Sequence, residues 1–177
     1  MLSGRKIAFL ALRGVEEPEL TAPWKAVLDA GGVPVLISAE PGTITALRGD
    51  WDRGEDFTVD ETLADAQPSE YAGVVLPGGT LNSDKLRDNE DAQAFVSAFF
   101  AADKPVATIC HGAWILTEIG VLPGRTITSV ARIATDLKGA GATWVDEEFV
   151  RDGNLASSRH PRDLEAFCHG IVPLFAE

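Results

Sequence analysis

Short apolar runs that end in glycine, proline or a reactive side chain constrain this chain more than any other feature. Lys6–Leu12 (KIAFLAL), Val33–Ser38 (VPVLIS), Tyr71–Leu76 (YAGVVL) and Pro105–Ile109 (PVATI) lack the alternation of a half-exposed strand. Near-continuous hydrophobicity over so few residues fits strands covered on both faces. Helical spacing fills the gaps between them. Glu19–Ala30 sets Leu20, Trp24, Val27 and Leu28 on one side and stops at Gly31-Gly32, with Pro23 expected to kink it. Asp88–Ala102 packs through Ala92, Phe95, Val96 and Phe99, and Ala113–Ile119 is a helix closed by Gly120. Arg162–Phe175 is amphipathic through Leu164, Phe167, Cys168, Ile171 and Leu174, which puts Cys168 in core packing. Thr43–Leu47 reads as a strand, Gly49–Asp56 as an acidic surface excursion, and Arg125–Ser129, Thr143–Val150 and Leu155–Ser158 as later strands.

Alternating buried strands and helices specify an α/β fold with a mostly parallel sheet and helices on both faces. A length of 177 residues fits a single domain over 1–177. The 15 basic and 27 acidic side chains leave a net charge of −12 and no basic cluster, which argues against nucleic acid and anionic membrane as partners. Arg5 and Lys6 precede an apolar run too short for a signal sequence, and nothing approaches a membrane span, so a cytoplasmic protein is expected. The chain has 2 cysteines, Cys110 and Cys168, too few for a disulfide framework or a zinc ribbon. No metal site is expected. Neither a dinucleotide fingerprint nor a phosphate loop occurs, so no cofactor is expected.

Open parallel sheets place their sites beyond the carboxyl ends of strands. That rule selects Gly14–Glu19, Pro77–Thr80 and Cys110–Gly112. Cys110 sits between a buried strand and a helix, the setting of a nucleophile elbow, and Gly112 permits the tight turn. Free amides and the helix dipole are expected to favour its thiolate. His111 follows directly. Gly79 and His111 can offer backbone N–H groups to an oxyanion. Among Glu16, Glu17 and Glu19, one carboxyl is expected to be held protonated beside the sulfur, while the others are solvated at a helix N-terminus.

Several segments in one register resemble the PfpI, or intracellular protease I, family of the DJ-one/PfpI superfamily. They are Gly14–Pro23 (GVEEPELTAP), Thr43–Thr45, Leu76–Gly79 (LPGG), Val106–Leu116, Gly120–Arg125 (GVLPGR), Trp144–Asp146 and Ser157–Arg159. The resemblance implies the class I glutamine-amidotransferase-like fold, a flavodoxin-like sandwich, and a homodimer or higher homo-oligomer. It implies that Cys110 is the nucleophile with His111 beside it, that Glu19 is the carboxyl bonded to the cysteine with Glu16 as fallback, and that Gly79 and His111 supply the oxyanion amides. In PfpI-type proteases a Glu after LPGG, donated by a neighbouring subunit, completes the triad. The nearest match here is Asp84, one methylene shorter and one residue further on. Val130 stands where such sequences carry Tyr, and His160 stands where they lack His. The missing Tyr and the altered acidic residue point away from a robust protease, while His160 offers an alternative base.

Two functions follow. The first is a stress-response cysteine hydrolase, acting on peptides or on small carbonyls in a glyoxalase- or deglycase-like reaction, with His111 or His160 moving the proton. The second is a non-catalytic sensor whose Cys110 is oxidised to sulfenic or sulfinic acid.

Overall fold

The apolar runs form neighbouring parallel strands. In the computed structural model, which describes residues 1–177, the strands in chain order are β1 (Lys6–Leu10), β2 (Val33–Ser38), β3 (Thr43–Arg48), β4 (Asp52–Thr58), β5 (Glu61–Thr62) and β6 (Gly73–Leu76). They continue with β7 (Val106–Ile109), β8 (Thr126–Ile127), β9 (Thr143–Trp144), β10 (Val150–Asp152) and β11 (Leu155–Ser158). The helices are α1 (Glu17–Asp29), α2 (Thr80–Arg87), α3 (Glu90–Ala101), α4 (Ala134–Gly139) and α5 (Leu164–Ala176). A 7-stranded sheet runs β10-β11-β7-β6-β1-β2-β5, and only the edge strand β10 is antiparallel to its neighbour.

Strand alternation divides the core between the two faces. Ala8 and Leu10 of β1 point toward Phe95, Val96 and Phe99 of α3, with Leu86 of α2 and Leu137 of α4 in the same cluster. Ile7 and Phe9 point the other way, toward Leu20 and Val27 of α1 and Phe167, Ile171 and Phe175 of α5. This is the α/β flavodoxin-like sandwich. No helix is long and apolar enough to cross a membrane.

Several local expectations are corrected. Helix α1 runs through Pro23 without a break, with Pro18 in its first turn. Proline removes one backbone bond, and burial of Leu20 and Val27 outweighs that loss. The acidic stretch after β3 is not a bare excursion. It folds back as β4 and pairs antiparallel with β3, from Thr43↔Thr58 to Arg48↔Asp52. Helix α2, which carries few apolar residues, was not expected from periodicity, and α3 begins at a true cap, where Asn89 accepts from the Ala92 N–H at 2.9 Å. The segment after Cys110 is a 3-10 helix, Cys110–Thr117, rather than an α-helix from Ala113. Thr143–Val150 is not one strand: β9 pairs with β8 outside the main sheet, and β10 follows separately. Cys168 is half-buried and belongs to neither core cluster.

Candidate active site

Three chain segments meet where β1, β6 and β7 end. A buried asparagine ties two of them: Asn82 Oδ1 accepts the Leu12 N–H at 2.6 Å, and its Nδ2 donates to the carbonyls of Pro77 (3.2 Å) and Gly78 (2.9 Å). The Glu16 N–H adds a bond to the Gly78 carbonyl at 3.3 Å. A cavity of about 420 Å³ opens above this junction, lined by Glu16, Glu19, Gly79, Cys110, His111 and His160, among others.

Cys110 enters the cavity from the end of β7 with φ 59, a left-handed conformation that side-chain-bearing residues rarely adopt. The sharp turn needs glycine on both sides of the sulfur. A Cβ at Gly112 would strike the Leu76 carbonyl oxygen, and one at Gly78 would strike the Glu19 carboxylate and lie 2.8 Å from the Cys110 Cβ. The turn therefore follows from the Cys-His-Gly and Pro-Gly-Gly sequences together.

Burial sets the electrostatics. Glu19 is fully buried. Its Oε2 accepts the Gly78 N–H at 2.8 Å, and its Oε1 has no hydrogen-bond partner. Burial holds the Glu19 carboxyl well above the ordinary carboxylate range; the Gly78 bond opposes that, and the charges of Glu16 and Asp50 reinforce it. Burial also pushes the Cys110 thiol up, with the negative charge of Glu19 as the next cause, while the His111 backbone N–H works the other way. Because Glu19 and Cys110 titrate as a pair, a proton kept on Glu19 removes the like charge that raises the thiol. Burial therefore opposes the thiolate that the free amides of this turn favour.

A base lies next to the thiol. His111 Nδ1 is 3.4 Å from Cys110 Sγ, and burial lowers the imidazole below its ordinary value, so it is neutral at physiological pH. Its Nε2 is 3.4 Å from Thr80 Oγ1. Thr80 in turn donates its hydroxyl to Asp50 Oδ2 and its backbone N–H to Asp50 Oδ1, both at 2.7 Å. Asp50 lies in the Gly49–Trp51 turn between β3 and β4, at φ 60. Glu16 holds that turn, Oε1 accepting from the Gly49 N–H at 2.7 Å and Oε2 from the Asp50 N–H at 3.0 Å.

The remaining expected residues fall as follows. The Gly79 N–H makes no hydrogen bond within the chain and Gly79 lines the cavity. Glu17 pairs with Arg48 at 2.8 Å, on the outside. His160 lines the cavity, with its Nδ1 3.6 Å from Asp163 Oδ1 and no hydrogen bond to the sulfur. Asp84 is exposed on α2 and does not line the cavity. Val130 lines it. Sequence reasoning missed Asp50 and Arg132, an exposed cation on the cavity wall, and gave Thr80 a place in a candidate loop without a role. Thr80 had a signal in its place directly after Leu76–Gly79; Asp50 had only a Gly-Asp turn within an acidic stretch. No group of 3 or more His, Cys, Asp or Glu side chains is placed to hold a metal ion.

The model of the DJ-1/PfpI family matches residues 5–174. The chain is 41% identical over 169 residues to Deglycase PfpI of Pyrococcus furiosus, covering 96% of this chain and 98% of that one. It is also 41% identical over 171 residues to Deglycase TK1284 of Thermococcus kodakarensis, again covering 96% of this chain and 98% of the relative. Among solved structures, it superposes with a TM-score of 0.91 and 32% identity on a two-domain protein of Anabaena variabilis containing DJ-1/ThiJ/PfpI-like and ferritin-like domains. That match covers 97% of this chain and 48% of the other.

Proposed function

The chain belongs to the DJ-1/PfpI family, and from that premise we propose that it is a Cys110-dependent enzyme of deglycase or glyoxalase type acting on small reactive carbonyls. The strand–turn–helix passage at Cys110 is its nucleophile elbow. The observation that carries this reading is the pairing of a thiol raised by burial with an imidazole nitrogen 3.4 Å away. A buried thiol is a poor nucleophile without a base, and here the base is already in contact.

In the first step His111 Nδ1 takes the S–H proton as Cys110 Sγ bonds to the carbonyl carbon. The carbonyl electron pair moves onto oxygen, where the free Gly79 N–H receives it. The proton then returns from Nδ1 to that oxygen, giving a neutral thiohemiacetal. The His111 backbone N–H, which acts to lower the Cys110 thiol, stabilises the developing thiolate. Glu19, neutral and with Oε1 unpartnered, has a proton to direct at the sulfur as its charge develops. Small substrates suit the cavity of about 420 Å³. The relatives named deglycases support this choice over peptide hydrolysis. Turnover is also favoured over a purely sensing role, since a sensor has no use for a base or for an open amide.

The test is turnover of methylglyoxal by the purified protein and by Cys110→Ser. The wild type converts this 2-oxoaldehyde and the variant loses at least a hundredfold in rate; equal rates in both would remove Cys110 from the chemistry.

A further inference from the structure

The hydrogen-bond chain behind His111 has a direction, and that direction selects the catalytic tautomer. A carboxylate accepts only, so Asp50 fixes the Thr80 hydroxyl proton on the Asp50 side, at 2.7 Å. Thr80 Oγ1 then faces His111 Nε2, 3.4 Å away, with lone pairs alone. The imidazole must place its single proton on Nε2, which leaves Nδ1 unprotonated against Cys110 Sγ at 3.4 Å. The contact to Nε2 is long, as such bonds are before substrate binds.

We propose that Asp50 and Thr80 are the positioning residues of this site: they form a relay, supplied within one chain, that holds His111 as the base toward Cys110. The inference rests on the Cys110 reading above. Asp84, exposed on α2, is not needed for it. Glu16 belongs to the same device one layer out, because its carboxylate grips the amides of Gly49 and Asp50. The charged groups that act on the imidazole are Asp50 from the β3–β4 turn and Arg132 from the segment after β8.

A purely structural role is the competing reading, since Asp50 Oδ1 also caps the first amide of α2. Asp50→Asn separates the two. Asparagine keeps the capping oxygen but turns an N–H toward Thr80. The hydroxyl then donates to Nε2, and the imidazole proton moves to Nδ1, where it blocks the base. The experiment compares the wild type with Asp50→Asn, Thr80→Val, Thr80→Ser and Cys110→Ser. Methylglyoxal turnover is measured alongside the 15N and 13C shifts of His111.

The expected result is a fall in kcat of about a hundred- to ten-thousandfold for Asp50→Asn and Thr80→Val, the range of a misplaced general base. KM changes little, and Thr80→Ser stays within about threefold of wild type. The His111 shifts report Nε2–H in the wild type and in Thr80→Ser, and Nδ1–H in Asp50→Asn. An Nδ1–H imidazole in the wild type, or an unmoved tautomer in a folded Asp50→Asn, overturns the relay whatever the activity. If Cys110→Ser is dead while Asp50→Asn and Thr80→Val retain full kcat, the relay fails and the nucleophile stands. An active Cys110→Ser would instead overturn the reading beneath it.

Discussion

Replacing Glu19 by glutamine should make the protein more stable relative to wild type as pH rises, although it removes a carboxyl group that accepts a backbone hydrogen bond. Glu19 is fully buried, and burial holds its carboxyl well above the ordinary range. In the unfolded chain the same group loses its proton near about pH 4.3. Between these two values the folded state keeps a proton that the unfolded state has released. Stability therefore falls with rising pH, by about 1.4 kcal/mol per pH unit, from the unfolded value up to the raised folded one. Glutamine does not titrate, keeps an oxygen for the Gly78 N–H and is free of this penalty. For a chain of this size each kcal/mol is about 2–4 °C in Tm. Calorimetry of wild type and Glu19→Gln across pH 4 to 8 should show the gap in favour of the variant widening by about 3–6 °C per pH unit before levelling off. A constant gap, or one widening in favour of the wild type, would refute a Glu19 that stays neutral in the folded protein.

Two further outcomes follow from particular contacts. Asn82→Ala strips partners from the Leu12 N–H and from the Pro77 and Gly78 carbonyls at once, so urea denaturation should show a loss of about 2–4 kcal/mol, with activity falling as the loop loosens. Unchanged stability would mean that water replaces the side chain freely. Arg132 lowers the His111 imidazole, so Arg132→Gln should raise it and move the acid limb of the kcat/KM profile to higher pH. A limb that stays in place or moves to lower pH would show that this limb does not report His111.

The parallel sheet was legible because its strands are buried on both faces, and continuous runs such as Val106–Ile109 announce that directly. Cys110, His111 and Gly79 were legible for a related reason: strand ends in such a sheet must converge, and these residues stand at them. Their electrostatics were not, because the thiol answers to desolvation by neighbours distant in sequence, Glu19 above all. The Asp50 contact was hidden more deeply. It depends on an antiparallel pairing of polar segments, Asp52–Thr58 against Thr43–Arg48, whose pattern carries little hydrophobic signal. Helix α2 escaped for the same cause, with its start fixed by Asp50 rather than by a residue of its own.

The β3–β4 hairpin forms a two-stranded sheet of its own and joins the body through Gly14–Glu16 and the buried Ile44 and Ala46. A residue inserted in β6 or β7 would shift the register of the central sheet and turn its side chains to the wrong face. A change in the hairpin leaves the central register intact and shifts instead its own pairing, with Ile44 and Ala46 in the core and Asp50 at its turn. The fold therefore divides its chemistry between two supports: sulfur, imidazole and open amide stand at strand ends of the central sheet, while the carboxylate that sets the imidazole is carried by a separate hairpin.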